Sequence, residues 1–380
     1  MTKKVGLLTA GSDCPGINAA IRGFGKAATS TYDMQVIGFR DGFEGLVKNN
    51  TMDLSGSALS GILTLGGTIL GTSRAVPNSM MENFEPVDRT QDAINTYHAN
   101  NLDALVCIGG KETQSVGLIL KEAGLNIITI PKAADNDVPG TDQTIGFDTA
   151  REIATEAIDR LHSTANALHR IMIVELLGAN SGWLTLGAGM AAGADVILIP
   201  EIPYDTAKIT EAILKRNRSG KNFSLVAVAE NARSKELNAF IERSRRMNEK
   251  LRSGEERAEV EAQLDRIKKQ YANQTLLLSS KLEDATKLTT RITILGSLVR
   301  GGTPSAADRL FASQLAEMSV RMISEGQFGR MVCFCKGEIG SVALEDVAGR
   351  TKPIPLDHSW IISAHQVGTC LGDDFELPIA

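Results

Sequence analysis

Hydrophobic residues fall in short unbroken blocks along the first third of the chain: residues 5–10 (VGLLTA), 34–39 (MQVIGF), 104–110 (ALVCIGG) and 126–131 (NIITIP). Blocks of this length and continuity predict strands covered on both faces, the signature of a parallel sheet. Between them, residues 17–28 and 112–123 carry apolar positions at helical spacing. Strand–helix alternation predicts an α/β fold with right-handed crossovers, in which ligands bind beyond the carboxyl ends of the strands. A second set starts with a helical pattern over 149–169. It continues with strands at 171–178 (IMIVELLG), 194–200 (ADVILIP) and 225–230 (LVAVAE), and a helix near 206–217. Residues 360–371 read as a further packed helix. Between 233 and 270 the texture changes to dense mixed charge with leucines at helical spacing, which reads as a solvated helical insertion or as a partner-binding helix.

Composition narrows the class. The chain has 380 residues, enough for two lobes, and 43% hydrophobic and 22% charged residues exclude wholesale disorder. A net charge of −5 and 4% aromatics argue against nucleic acid as a partner. No apolar run approaches the roughly 18–20 residues of a membrane helix, and the first residues lack a signal peptide, so the expected place is the cytoplasm. The five cysteines (Cys14, Cys107, Cys333, Cys335, Cys370) are scattered and read as structural thiols. His162 and His169 lie seven apart on one helical pattern, but no third ligand accompanies them. His98, His358 and His365 are isolated, and Trp183 reads as core.

Chemistry concentrates where the blocks end. Gly11-Ser12-Asp13-Cys14-Pro15-Gly16 lies between a strand and a helix, where backbone N–H groups and the helix end favour an anion. A merely structural turn is the other reading. Gly66 to Arg74 (GGTILGTSR) sets an arginine behind a glycine segment, able to meet a phosphoryl group or simply to lie on the surface. Pro131 to Asp137 (PKAADND) follows a strand and offers two carboxylates two residues apart, suited to divide a general base from a metal ligand. Asp148 reads as a helix N-cap. Residues 175–183 (ELLGANSGW) and the run from Arg291 to Arg300-Gly301-Gly302-Thr303-Pro304 complete the set, the two arginines fitting a phosphomonoester. No G-x-G-x-x-G follows the first strand, which excludes the Rossmann dehydrogenase reading.

In this order the segments LTAGSDCPGINAAIRG, LGGTILGTSR, CIGGKET, PKAADNDVPGTDQTIGFDTA, HRIMIVELLGANSGW, VAVAENA and LGSLVRGGTPSAADR resemble the phosphofructokinase family of the ATP- and pyrophosphate-using type, over nearly the whole chain. The resemblance implies a two-lobed α/β fold of mainly parallel sheets flanked by helices, with the active site in the cleft between lobes. Residues 1–146 with 299–347 are the expected donor lobe, and 147–298 with 348–380 the expected sugar-phosphate lobe. It implies phosphorylation of the 1-hydroxyl of fructose 6-phosphate to fructose 1,6-bisphosphate, in glycolysis, with Mg²⁺. It also implies a homodimer or homotetramer in which arginines of a neighbouring subunit complete the sugar site. By position, Asp135 matches the general base and Arg74 the arginine that stabilises the transferring phosphoryl. Gly11, Asp13, Gly110, Lys111, Glu112, Thr113 and Lys132 match the donor side. Asp135, Arg170, Leu177, Gly178, Glu230, Arg291, Ser297 and Arg300 match the sugar side, and Asp137 a weak metal ligand.

Several positions depart from the family pattern. Lys111 stands in place of a metal-ligating carboxylate, which weakens a Mg²⁺ site because an ammonium cannot ligate. Glu112 stands where ATP users have glycine and pyrophosphate users aspartate. With Lys132 it leans toward pyrophosphate, so the donor (ATP, ADP or pyrophosphate) stays open. Ala133, Ala179 and Ser297 replace a threonine, an arginine, and a histidine or tyrosine. The expectation is an active phosphofructokinase. The alternative is a weakly active or inactive sugar-phosphate-binding regulatory paralogue.

Overall fold

The computed structural model describes residues 2–250 and 273–375. In chain order the strands are β1 (Lys4–Thr9), β2 (Gln35–Phe39), β3 (Thr51–Asp53), β4 (Met80–Glu82), β5 (Glu85–Val87), β6 (Ala104–Gly109), β7 (Ile127–Pro131), β8 (Ile171–Leu176), β9 (Val196–Leu198), β10 (Ser224–Ala229), β11 (Thr290–Ile294), β12 (Arg330–Cys335) and β13 (Glu338–Ala343). The α-helices are α1 (Ile17–Thr31), α2 (Phe43–Val47), α3 (Thr90–Ala99), α4 (Lys111–Glu122), α5 (Phe147–Leu168), α6 (Trp183–Ala191), α7 (Thr206–Arg218), α8 (Lys235–Lys250), α9 (Gln274–Thr286), α10 (Ala306–Glu325), α11 (Leu344–Val347) and α12 (Ser359–Gln366).

The chain forms two compact units, Met1–Arg151 with Ser297–Lys352, and Glu152–Gly296 with Pro353–Ala380. The first is built on a sheet of order β13-β12-β7-β6-β1-β2-β3. Its inner pairs are parallel, and antiparallel pairing is confined to the edge strands β3 and β13. Every residue of β6 and β7 is buried, as a strand covered on both faces requires. Leu8, Phe39, Leu105, Ile127 and Met331 join in one core on this sheet, each worth about 1.5–3 kcal/mol of burial. The second unit holds the parallel sheet β11-β8-β10-β9, with Ile171, Leu198, Val226 and Leu278 in its core.

Two expectations shift. The strand expected over 194–200 shortens to β9, because Asp195 turns its carboxylate back to accept the Leu225 N–H at 2.9 Å and an ion pair from Arg216. The helix expected over 360–371 ends at Gln366. Gly368 turns the chain at φ 85°, and Cys370 then pairs beside Val196 of β9. Of the charged stretch 233–270, residues 235–250 are helix α8, and 251–270 lie outside the described residues.

Candidate active site

Strand order assembles the first set of candidate residues. β7, β6 and β1 are neighbours and parallel, so their carboxyl ends lie side by side. Lys132–Asp137, Gly110–Glu112 and Gly11–Cys14 therefore emerge along one sheet edge. The glycine segment is laced onto the first of these loops: the Gly11 N–H donates to the Ser73 carbonyl at 2.8 Å and the Thr72 hydroxyl to the Gly11 carbonyl at 2.7 Å. Arg74 is exposed, and its Nη2 donates to the Ser12 hydroxyl at 3.0 Å. Gly16 starts α1 at φ 92°, with Ile145 where a Cβ would project, a conformation that suits glycine.

Lys132 is buried and its ammonium donates to the Ser12 carbonyl. Burial pushes that ammonium below its usual range, the Arg300 guanidinium pushes the same way, and Cys14, Asp13 and Asp135 oppose. Arg300 donates through Nη2 to the Ser297 hydroxyl, while its buried Nε has no hydrogen-bond partner. A buried N–H without an acceptor costs about 1–3 kcal/mol. Cys14 lies beneath the same loop with its thiol pushed up to about 12, chiefly by burial, so it is no nucleophile.

The middle loop places Lys111 at the first position of α4, an exposed Glu112 beside it, and Thr113 inward. Thr113 packs under Gly109, where any Cβ would overlap its hydroxyl. It therefore supports the turn rather than facing outward as a donor contact. A cation in a first helical turn opposes the helix dipole. Here Lys111 meets Asp137 at 3.9 Å, and the Asp137 side chain is only 8% exposed. Mg²⁺ needs carboxylate or phosphate oxygens, yet the carboxylate offered is engaged by an ammonium. Among the described residues no group of three His, Cys, Asp or Glu lies close enough to hold an ion. A resident Mg²⁺ does not fit this chain's own side chains.

The third loop is tightly reversed. Asn136 sits at φ 54° between the two aspartates, its amide donating to the Asp142 carbonyl at 3.1 Å and accepting from the Thr144 hydroxyl at 3.2 Å. Asp137 and Asn136 are buried, while Asp135 is half-buried.

The second unit divides its candidates between two ends of one sheet. Gly178 and Glu230 follow the paired strands β8 and β10. The Glu230 N–H donates to the Leu176 carbonyl at 2.9 Å, and the Gly178 N–H reaches the Glu230 carboxylate at 3.5 Å. Leu177 is half-buried, its carbonyl accepting from Thr185 at 3.4 Å. Arg170 instead precedes β8, and Arg291 pairs beside Met172 near the start of β11. At about 3.3 Å per residue, Arg170 and Gly178 are separated by roughly 20 Å of strand. The structure does not bring these two arginines to Gly178 and Glu230 of the same chain.

Residues 4–323 match the Phosphofructokinase family. The chain belongs to the phosphofructokinase family. It is 48% identical over 373 residues to an ATP-dependent 6-phosphofructokinase of Propionibacterium freudenreichii, covering 98% of this chain and 100% of that protein. It is 45% identical to an ATP-dependent 6-phosphofructokinase of Spirochaeta thermophila, covering 98% of each. Among solved structures, the phosphofructokinase of Saccharomyces cerevisiae has a TM-score of 0.74 at 25% identity, over 91% of this chain and 45% of that one. A pyrophosphate-dependent phosphofructokinase of Nitrosospira multiformis shares the fold at a TM-score of 0.75 and 18% identity, over 100% and 94%.

Within this phosphofructokinase fold, four supporting residues escaped the sequence reading. Asp308, fully buried, accepts the N–H groups of Gly146 at 3.0 Å and Thr149 at 2.9 Å. Its own N–H donates to the Ser305 hydroxyl at 3.1 Å, so the S-x-x-D pattern of a capping box was its available signal. Asp148 is not the N-cap expected of it but lies in the first turn of α5, paired with Arg151 at 2.6 Å. Gln114 donates to the carbonyls of Gly109 and Gly110, holding the middle loop. Glu201 accepts the Gly182 and Ile354 N–H groups, fixing the turn before α6. Lys352 reaches the Asp135 loop from far along the chain. No short-range pattern announces the last two.

His358 and Trp183 pack edge to face at 4.8 Å, and His365 pairs with Asp373 at 3.2 Å. All five cysteines are free thiols. No described helix is long and apolar enough to cross a membrane.

Proposed function

We propose that this phosphofructokinase transfers the terminal phosphoryl group of ATP to the 1-hydroxyl of fructose 6-phosphate, in the cytoplasm as a step of glycolysis. The oxygen of that hydroxyl attacks phosphorus, its proton passes to Asp135, and ADP departs. Gly11, Asp13, Gly110, Lys111, Glu112 and Lys132 hold the donor, with Arg74 and Lys111 neutralising charge on the moving group. Thr113 acts through the turn beneath them. With Asp137 engaged by Lys111, Mg²⁺ would be brought by the donor rather than held by this chain, and would supply counter-charge there. Leu177, Gly178 and Glu230 receive the sugar, with Ser297 and Arg300 at its phosphate. The full-length relatives named ATP-dependent support ATP. The exposed Glu112 in the first turn of α4 favours the second reading, pyrophosphate as donor.

The observation that carries the proposal is the orphaned Nε of Arg300, whose guanidinium acts electrostatically on the buried Lys132 of the loop that also presents Asp135. A cationic pocket with an unfilled donor suits a phosphate. Separation of Arg170 and Arg291 from Gly178 supports the further proposal that these arginines serve the sugar site of a second copy, in a homodimer or homotetramer. The test supplies purified protein with fructose 6-phosphate, Mg²⁺ and ATP, ADP or pyrophosphate in turn. Fructose 1,6-bisphosphate is expected with ATP. Absence of product with all three donors, alongside calorimetric binding of fructose 6-phosphate, overturns the enzymatic reading in favour of a binding paralogue.

A further inference from the structure

The Asp135 loop is held by a residue more than two hundred positions away. The backbone N–H of Lys352 donates to the Asp137 carbonyl at 3.0 Å. Its ammonium donates to the carbonyls of Thr141 at 2.9 Å and Asp142 at 3.0 Å. One residue thus grips both ends of the segment that follows the general base, its backbone N–H at Asp137 and its ammonium at Thr141 and Asp142. Strand β12 and the turn after it hold the Asp142 end as well: the Asp142 N–H donates to the Phe334 carbonyl at 2.7 Å, and the Lys336 N–H to the Asp142 carboxylate at 2.7 Å. Immediately before the first grip, Asn136 reverses the chain at φ 54°, which fixes the directions in which Asp135 and Asp137 leave the turn.

An ammonium in so enclosed a place is costly, and burial lowers its proton affinity, pushing Lys352 down to about 8. An apolar side chain of similar length would fill the space at less cost. What it cannot supply is two charge-assisted hydrogen bonds to adjacent carbonyls. Position along the chain sharpens the point. Lys352 is the last residue of the first unit, followed at once by Pro353. Proline holds its predecessor in extended backbone, so Lys352 reaches sideways from a straight segment.

We propose that Lys352 is a positioning residue for phosphoryl transfer, clamping the Asp137–Asp142 segment so that the Asp135 carboxylate is held in line with the sugar hydroxyl. This rests on the reading of Asp135 as general base. Small displacements of a reacting group cost up to about 10²-fold in rate, and a positioning defect acts on turnover rather than on sugar binding.

Lys352→Met keeps the stem and removes the ammonium. The expected result is kcat lowered roughly 10- to 100-fold with KM for fructose 6-phosphate nearly unchanged. Amide hydrogen exchange should rise locally over 136–145 and nowhere else in the first unit. Lys352→Arg should restore most of both. Unchanged exchange and kcat in the Met variant overturn the proposal. So does a parallel loss of kcat, sugar affinity and melting temperature, the mark of a merely structural residue. If the wild-type protein turns over no donor, the enzymatic reading fails on its own, and local exchange with its Arg rescue still decides whether the clamp exists.

Discussion

The two units present their candidate residues in opposite ways. In the first, three neighbouring parallel strands deliver Gly11, Lys111, Lys132 and Asp135 to one end of the sheet, where hydrogen bonds tie the Gly11 loop to the glycine segment and to Lys132, and an ion pair ties Lys111 to Asp137. In the second, Arg170 and Arg291 lie at the starts of β8 and β11, and Gly178 and Glu230 follow the opposite ends of β8 and β10. The first set gathers within one unit at one end of its sheet. The second divides between the two ends of its sheet. Sequence order alone hides this, because a motif lists residues without saying which end of a strand they occupy.

The sharpest probe of the self-contained set is Asp135→Asn. Removing a general base costs about 10²–10⁴-fold, so product formation should nearly vanish while calorimetry still detects fructose 6-phosphate. Retained turnover would break the assignment. Next, Arg170→Ala and Arg291→Ala should each raise KM for fructose 6-phosphate on the order of 10²-fold, since each removes a charge-assisted contact. Dissociating and reassociating Arg291→Ala with Asp135→Asn should then recover up to about a quarter of wild-type activity, because half the pairs are mixed and hold one intact shared site. Mixtures that stay inactive would remove the contrast between the units.

Asp308→Ala tests the scaffold. It strands two buried N–H groups, and the expected loss is about 2–4 kcal/mol in urea unfolding, with Asp308→Asn milder. Titration of Lys352 gives a smaller effect of definite sign. Its folded value of about 8 lies below the usual lysine value, so the unfolded chain holds this proton more tightly. Stability from this side chain is least below pH 8 and rises toward pH 10.5. Unfolding free energy of wild type relative to Lys352→Met should therefore climb by roughly 1–2 kcal/mol between pH 8 and 9.5. A flat difference would contradict it. The smallest effect is expected from Lys111→Asp with Glu112→Gly, which restores a ligating carboxylate and clears the first turn of α4. The exchange of a counter-charge for a ligating carboxylate should leave ATP-dependent kcat/KM within about tenfold of wild type, with tighter Mn²⁺ binding by spin resonance, and a larger rise would show that Lys111 does not serve the donor.

The fold was largely legible because its signal is local. β6 and β10 are apolar at consecutive positions and buried at each of them, and glycine or proline marks the turns beyond. The site was legible where motif and strand end coincide, as at Lys132–Asp137. It was not legible where a side chain works across the sequence. Lys352 holds a loop 211 residues earlier and Asp308 one 162 residues earlier, and nothing near them in the chain signals the partner. Thr113 misled for the opposite reason: helical register, not proximity to Gly110, decides that it points inward.

The place of β12 in the sheet has a consequence during synthesis. It is the strand that covers β7, yet about 200 residues separate them in the chain. A ribosome adding ~5–20 residues per second leaves that edge unpaired for ~10–40 s. Through that interval the strand leading into Asp135 is an open template for another chain. Premature termination after β11 would release a product with a full set of donor loops and an unprotected apolar edge, and such fragments should be found in inclusion bodies rather than in the supernatant.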